Sequence, residues 1–293
     1  MNPTYREEAC FFGCAGERLL GILVRPASAP TVGVLIVVGG PQYRVGSHRQ
    51  FTLLARALGE AGVATFRFDY RGMGDSTGMR RSFEEIAPDI GAATDEFAAR
   101  VPELRQVVLW GLCDAASAAC EYAPSDRRIA GLVLANPWVR SEAGLAAAYL
   151  KHYYWRRLLE RSFWRKVGRG ELRLGSSLRA LYGNVRRAVS RAQPSTAVGA
   201  TDGTPARAPL ADRMSTSLTS FGGPTLFILS GNDLTAAEFR DAAGRSAEWR
   251  AILGDRAVRV EELADADHTF SAAAWRARVE RLTRDWVRER FGV

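Results

Sequence analysis

One cysteine stands where an apolar run meets an alanine-rich segment, and its setting indicates nucleophilic chemistry. Residues 107–112 read VVLWGL, Cys113 and Asp114 follow, and Ala115 opens the alanine-rich segment. A buried strand that turns sharply into a helix projects the residue at the turn from the edge of a parallel sheet. Gly111 and Ala115 must be small because the turn is tight. We therefore predict that Cys113 lies on a nucleophile elbow, at a helix N-terminus whose dipole favours the thiolate.

A carboxylate and an imidazole follow two later apolar runs, in the order that a catalytic triad requires. Asp233 comes shortly after residues 224–230, and His268 follows residues 258–263. Strand ends at the carboxyl edge of one sheet bring such residues together in the chain order nucleophile, acid, base. His268 would accept the proton of the Cys113 thiol, and Asp233 would fix the imidazole tautomer and stabilise the imidazolium.

Each of these assignments has an alternative. Cys113 could be a buried structural thiol, and Asp233 could serve only as the N-cap of the helix that follows it. Asp265 and Asp267 flank His268 and are alternative acids. Ser117 lies one helical turn beyond the cysteine and is expected to face the packing of its own helix. The other histidines are His48, in an early loop, and His152.

The loop after the first predicted core strand supplies candidate donors for an oxyanion. Gly39 and Gly40 are followed by Pro41 and Gln42. Proline has no N–H and cannot donate. We predict that the backbone N–H groups of Asp114 and Gln42 bind the oxyanion, with the Gln42 side-chain amide as an additional donor.

Apolar runs and helical patterns alternate along the chain, which predicts an α/β fold with a doubly wound, mostly parallel sheet. The predicted core comprises residues 1–139 and 222–293, separated by a basic helical cap and flexible linker over residues 140–221. Strands are predicted over residues 17–25, 31–38, 63–69, 107–110, 129–134, 224–230 and 258–263, and helices over residues 51–61, 83–100, 234–253 and 275–291.

The net positive charge of the chain comes from the inserted segment. Residues 140–191 hold 13 Lys and Arg against three Glu, a net +10 in a chain of net +8. This pattern is typical either of a solvated face or of an aromatic lid whose arginines attract an anionic partner. A phosphate, a pyrophosphate-linked lipid, an acyl-carrier protein or an anionic membrane surface would each fit. No nucleic-acid recognition module is readable. Residues 193–220, rich in Pro, Ser, Thr, Ala and Gly, are predicted to be a flexible linker.

The composition also bears on membrane insertion, cellular location and metal binding. No apolar run approaches the roughly 20 residues of a membrane span, and the first residues lack a signal-peptide pattern, so a cytoplasmic location is predicted. Four cysteines form no CxxC pair, and Cys10 and Cys14 lack a second cluster that would complete a zinc site. They are predicted to be plain strand or turn residues, like Cys120 in the core, and no metal or cofactor is predicted.

These motifs resemble the α/β-hydrolase superfamily. The elbow, Asp233 and His268 carry this resemblance. A further motif is found at residues 69–76, DYRGMGDS, which are similar to the D-x-R-G-x-G-x-S loop of the superfamily. The likeness covers roughly residues 17–140 and 222–293. Residues 39–49 with 111–115 resemble more narrowly the exosortase A system-associated hydrolase 1 family. That resemblance implies a cytosolic hydrolase encoded beside exopolysaccharide and protein-sorting genes.

The chain departs from the superfamily pattern at two points. Cysteine replaces the usual serine, as in the dienelactone-hydrolase-like branch, and Gly39-Gly40 replaces the usual His-Gly. We predict a cysteine-dependent enzyme that hydrolyses or transfers the acyl group of a small or carrier-linked ester or thioester. The alternative is a non-catalytic protein of the same fold that docks through its basic insert, on a polysaccharide-assembly complex or a membrane surface.

Overall fold

A computed structural model describes residues 4–40, 42–139 and 208–293. The predicted cap, its basic and aromatic residues, His152 and the first part of the predicted linker lie outside these ranges, as does Pro41. The described helices and strands belong to one compact unit. None of the described helices combines the length and apolar character that a bilayer crossing would need.

Eight strands form one sheet, in the spatial order β1-β2-β4-β3-β5-β6-β7-β8. Their bounds are β1 Tyr5–Cys14, β2 Glu17–Pro26, β3 Val32–Val37, β4 Ala64–Phe68, β5 Gln106–Leu112, β6 Ile129–Ala135, β7 Thr225–Ser230 and β8 Val258–Leu263. The described α-helices are α1 Gln50–Glu60, α2 Ala87–Arg100, α3 Asp114–Tyr122, α4 Leu210–Phe221, α5 Leu234–Arg245, α6 Ala247–Leu253 and α7 Ala273–Phe291.

The sheet is parallel from β4 to β8 and antiparallel only at its first edge. β1 pairs with β2, and β2 with β4, in antiparallel register, whereas the remaining neighbours run parallel. This confirms the predicted doubly wound, mostly parallel sheet. β1 was not predicted as a strand. It joins β2 through Ala15 and Gly16, whose φ values of 49° and 83° suit a two-residue hairpin turn.

The central strands are buried on both faces. Every residue of β3 is buried; Leu35 and Val37 pack into one apolar cluster, and Val34 and Ile36 into the other. A strand covered by helices on both sides has no solvent face, which explains its unbroken apolar sequence. The carboxyl ends of these strands are therefore held rigidly where the functional loops begin.

The prediction of a flexible linker through residue 220 is wrong for residues 210–220, which lie in α4. Leu210, Met214 and Leu218 recur at four-residue spacing and are buried, so α4 packs one apolar stripe on the core. Arg213 donates to Glu121 of α3 at 2.6 Å. The predicted helix over residues 234–253 is interrupted at Ser246, whose hydroxyl caps α6.

Candidate active site

Cys113 lies between β5 and α3 in a backbone conformation that few side chains adopt. Its φ of 62° and ψ of −126° are costly for a residue other than glycine, by about 1–3 kcal/mol. The turn is held in place because the Cys113 N–H donates to Ala135 O at 3.0 Å and its carbonyl accepts from Trp138 N at 3.2 Å. Cys113 is partly exposed, so the strained turn keeps it out of the fully buried core.

Gly111 permits this turn. A Cβ at residue 111 would lie 2.6 Å from the carbonyl carbon and oxygen of Ala115 and from the N of Ala116. These are backbone atoms of α3 and cannot rotate away. The predicted requirement for a small residue before the cysteine is confirmed.

Asp233 and His268 meet at the carboxyl edge of the sheet. Asp233 directly precedes α5 and is nearly buried, and its Oδ2 lies 2.9 Å from His268 Nδ1. The same carboxylate accepts from Thr235 N at 3.3 Å and Ala236 N at 3.0 Å. Asp233 is therefore both the helix N-cap and the partner of the imidazole. These hydrogen bonds fix the carboxylate before it meets the histidine.

His268 bridges the carboxylate and the sulfur. Burial favours its neutral form, but hydrogen bonds to Asp233 and Cys113 outweigh burial and raise the pKa of His268 to about 10. Because Nδ1 faces Asp233, Nε2 is the nitrogen left to face Cys113. The imidazole is therefore protonated at neutral pH and held between the two side chains.

The alternative residues make other contacts. Asp267 accepts from Ser271 N at 2.9 Å; burial opposes its ionisation, yet its hydrogen bonds, with those from Ser271 foremost, outweigh burial and lower its pKa. Asp265 is exposed. Ser117 is fully buried and its hydroxyl donates to Trp138 O at 2.5 Å. His48 is exposed and lies close enough to Asp267 to favour the ionised form of its carboxylate.

Asn136 and Ser230 hold the loop that carries His268, a role that the sequence reasoning missed. Asn136 Nδ2 donates to Ser230 Oγ at 2.8 Å and to His268 O at 3.0 Å. Asn136 Oδ1 accepts from Ser230 N at 2.8 Å, and Ser230 Oγ donates to Asp267 O at 2.9 Å. Both residues are fully buried. The position of Asn136 at the end of an apolar run was the only signal in the sequence.

Two backbone amides close in sequence to the predicted oxyanion donors bind the Asp114 carboxylate. Gly40 N donates to Asp114 Oδ2 at 3.0 Å, and Ala115 N donates to Asp114 Oδ1 at 2.9 Å. Burial raises the pKa of Asp114, and its hydrogen bonds and the nearby His268 oppose that rise. The Gln42 side chain accepts from Ser47 N at 3.2 Å, so its oxygen stabilises the loop.

The other cysteines are buried in the core. Cys10 and Cys14 lie in β1 and Cys120 in α3. Burial raises the pKa of the Cys10 thiol to about 11. Within the described residues, no cluster of three or more His, Cys, Asp or Glu side chains is arranged to hold a metal ion. Among the four cysteines, Cys113 is therefore the most accessible thiol.

A strained elbow at the end of a central strand, within a doubly wound sheet, is the arrangement of the α/β-hydrolase fold. The family model described as serine aminopeptidase, S33, matches residues 31–237, and the chain belongs to this family. The family is named for a serine, whereas this chain has Cys113 at the elbow.

Solved structures with a similar fold span nearly the whole chain. An esterase from Pyrococcus furiosus has a TM-score of 0.64 and 13% identity, covering 98% of this chain and 92% of its own. A dienelactone hydrolase from Anabaena variabilis has a TM-score of 0.60 and 17% identity, covering 98% and 99%. Est1E from Butyrivibrio proteoclasticus, solved with ferulic acid bound, has a TM-score of 0.60 and 14% identity, covering 97% and 100%. At such identities the likeness establishes the fold.

Proposed function

We propose that the protein hydrolyses or transfers the acyl group of an ester or thioester through a covalent intermediate on Cys113. The observation that carries the proposal is His268, which is hydrogen-bonded to Asp233 at 2.9 Å and lies close enough to Cys113 for both side chains to raise its pKa. The partly exposed sulfur on a strained turn supports it further. The names of the similar structures, an esterase and a dienelactone hydrolase among them, support an ester-type substrate.

In the acylation step, His268 holds the proton of the Cys113 thiol, and the sulfur attacks the carbonyl carbon of the substrate and forms a C–S bond. The carbonyl electron pair moves to its oxygen, where backbone N–H groups at the elbow would stabilise the negative charge. The tetrahedral intermediate collapses and breaks the bond to the leaving group. The imidazolium of His268 donates the proton that this group requires, while Asp233 keeps Nδ1 in place.

In the second step, His268 accepts a proton from water, which attacks the thioester on Cys113. The tetrahedral intermediate collapses, the C–S bond breaks and the acid is released, while His268 keeps the proton beside the regenerated sulfur. A sugar hydroxyl or an amine in place of water would give acyl transfer with the same proton movements. The resemblance of residues 39–49 and 111–115 to exosortase-associated hydrolases leads us to propose a saccharide acceptor.

The acyl-enzyme can be detected directly. The wild-type protein is mixed with p-nitrophenyl acetate and analysed by intact-protein and peptide mass spectrometry. We expect one acetyl group, located on the peptide that contains Cys113, and no adduct with Cys113→Ala. Cys120→Ala is the matched control, because Cys120 lies in α3, the helix that Cys113 precedes, but is fully buried; this variant should be acetylated like the wild type.

Absence of the adduct from the wild-type protein across p-nitrophenyl esters, acyl thioesters and lactones would contradict the proposal. It would favour a non-catalytic protein of this fold. Turnover by Cys113→Ala at the wild-type rate would exclude Cys113 as the nucleophile. Product analysis with an added oligosaccharide separates transfer from hydrolysis, because only transfer yields an acylated sugar.

A further inference from the structure

We propose that Asp114 is a positioning residue. Its carboxylate ties Gly40, in the loop after β3, to the elbow and so sets the oxyanion donors in place. The inference rests on the proposed acylation of Cys113. It assigns the Asp114 side chain a role distinct from the predicted role of its backbone N–H.

One carboxylate joins two elements that are far apart in sequence. Its Oδ2 accepts from Gly40 N at 3.0 Å, in the loop after β3, and its Oδ1 accepts from Ala115 N at 2.9 Å, in the first turn of α3. Hydrogen bonds to an ionised acceptor are about twice as strong as neutral ones. The loop and the helix are therefore fixed relative to each other beside the nucleophile.

Gly39 makes room for this carboxylate. A Cβ at residue 39 would lie 2.1 Å from Asp114 Oδ1 and 2.8 Å from Ala115 N. No side chain at position 39 is compatible with the carboxylate where it stands. Both the Asp114 carboxylate and Ala115 therefore require glycine at position 39 in this chain.

Because the Gly40 amide binds Asp114, it is not available to bind an oxyanion, and other backbone amides must do so. Pro41 has no N–H, so Gln42 carries the next amide N–H of the loop. A loop held at Gly40 would keep the Gln42 amide at a fixed distance from the Asp114 amide. Preorganised donors of this kind stabilise a developing oxyanion because they need no reorganisation during the reaction.

The same carboxylate also acts against the oxyanion. The backbone N–H of Asp114 also lies against its own side chain, and a negative charge near an oxyanion is repulsive. If competition for this N–H dominated, removing the carboxylate would speed acylation. If positioning dominates, as we propose, removing it slows acylation.

The test compares two reactions of the same sulfur. Acylation by p-nitrophenyl acetate passes through an oxyanion, whereas alkylation by iodoacetamide displaces iodide at a saturated carbon and forms none. We expect Asp114→Ala to lower the single-turnover acylation rate about 10²–10³-fold, the usual effect of a lost oxyanion donor, and to leave the KM for turnover and the alkylation rate unchanged. The ratio of the two rates is the readout, because a change in thiolate reactivity enters both.

Two further variants sharpen the result. Asp114→Asn keeps one acceptor oxygen for two N–H donors, so its acylation rate should lie between those of the wild type and Asp114→Ala. If Asp114→Ala does not fold, the comparison is made with Asp114→Asn. Asp126→Ala is the matched control, because Asp126 accepts from Arg128 N at 3.0 Å beyond the other end of α3, before β6 begins. It should lower the melting temperature without changing the ratio.

An unchanged or faster acylation in folded Asp114→Ala would overturn the proposal, and a faster one would establish the competing role. Failure of the wild type to form an acyl-enzyme while it is still alkylated at Cys113 has a different meaning. That result would refute the proposed function itself, so the two failures are distinguishable.

Discussion

At the scale of single residues, the protonation of His268 decides which step its imidazole can assist. A pKa of about 10 means that the ring is an imidazolium at neutral pH and is ready to protonate a leaving group. Burial alone would have favoured the neutral ring. The hydrogen bonds to Asp233 and Cys113 reverse that preference, so the acid function depends on both neighbours.

This protonation predicts how acylation varies with pH. With an alkyl ester, whose alkoxide must be protonated as it leaves, the acylation rate should fall as the pH rises through about 10, because His268 loses its proton there. With a p-nitrophenyl ester, whose phenolate leaves unprotonated, the fall should be much smaller. Pre-steady-state pH–rate profiles for the two esters measure the difference. A common fall near pH 7 would contradict it.

The carboxylate that raises this pKa can be removed. Asp233→Asn should shift the alkyl-ester profile to lower pH, since the neutral amide stabilises the imidazolium less. Asp265→Asn is the control, because Asp265 is exposed and its neutralisation should leave the profile in place. Asparagine is as good an N-cap as aspartate, so this variant should keep the cap of α5, and all rates are measured well below the unfolding midpoint.

The sequence indicated the candidate residues because each follows an apolar run at the same edge of the sheet. Cys113 follows β5, Asp233 follows β7 and His268 follows β8, and the order of a parallel sheet brings them together. Asn136 could not be identified in this way. Its partners lie 94 and 132 residues away in sequence, and no local pattern encodes contacts of that range.

At the scale of elements, the end of β6, the end of β7 and the loop after β8 form one hydrogen-bonded unit. Asn136 contacts Ser230 through both its amide oxygen and its amide nitrogen, and it reaches the backbone of His268. The imidazole is thus positioned from the sheet as well as by Asp233. A loop anchored to two buried strands restricts the movement of the ring.

We expect Asn136→Ala to weaken both stability and catalysis. Ser230 N would remain buried without its partner, at a cost of about 1–3 kcal/mol, and a looser His268 loop should lower kcat more than it alters KM. Urea unfolding and steady-state kinetics measure the two effects. Thr94→Val is the control, because Thr94 is buried and donates to Ile90 O at 2.8 Å within α2. An equal loss of kcat in both variants would contradict the positioning role.

The elements that the sequence reasoning missed have weak patterns. In β1, Cys10, Phe12 and Cys14 alternate towards the core, but the first half of the strand is mostly exposed and charged. In α4 the apolar stripe is only three residues long, and the preceding composition is typical of a linker. The strongly apolar strands were predicted because burial on both faces leaves no room for polar residues.

At the scale of the whole molecule, the described core contains every residue to which the chemistry is assigned. Cys113 and Asn136 precede the segment outside the described residues, and Asp233 and His268 follow it. The described residues resume just before α4, which contacts three different parts of the core. Its Met214 carbonyl lies 3.5 Å from Cys120 Sγ, its Arg213 binds Glu84 and Glu121, and its Ala211 carbonyl accepts from Trp249 Nε1 at 3.1 Å.

If α4 is an integral part of this core, removing its central side chain must destabilise the whole unit. Met214 is fully buried, whereas Met79 is 78% exposed, so the chain provides its own control. Met214→Ala should lower the free energy of unfolding by about 2–5 kcal/mol, the usual cost of a core Met→Ala cavity. Met79→Ala should leave it within about 0.5 kcal/mol of the wild type.

The thiols report where the destabilisation acts. Cys120 lies against Met214 and is fully buried, so Met214→Ala should speed its alkylation by iodoacetamide well below the unfolding midpoint. Cys113 is held by β5, β6 and α3 rather than by α4, so its alkylation rate should stay the same. Equal stability of the Met214→Ala and Met79→Ala variants would mean that α4 is a dispensable attachment. The fold would then depend on the two segments, residues 4–139 and 222–293, that the hydrophobic pattern alone identifies.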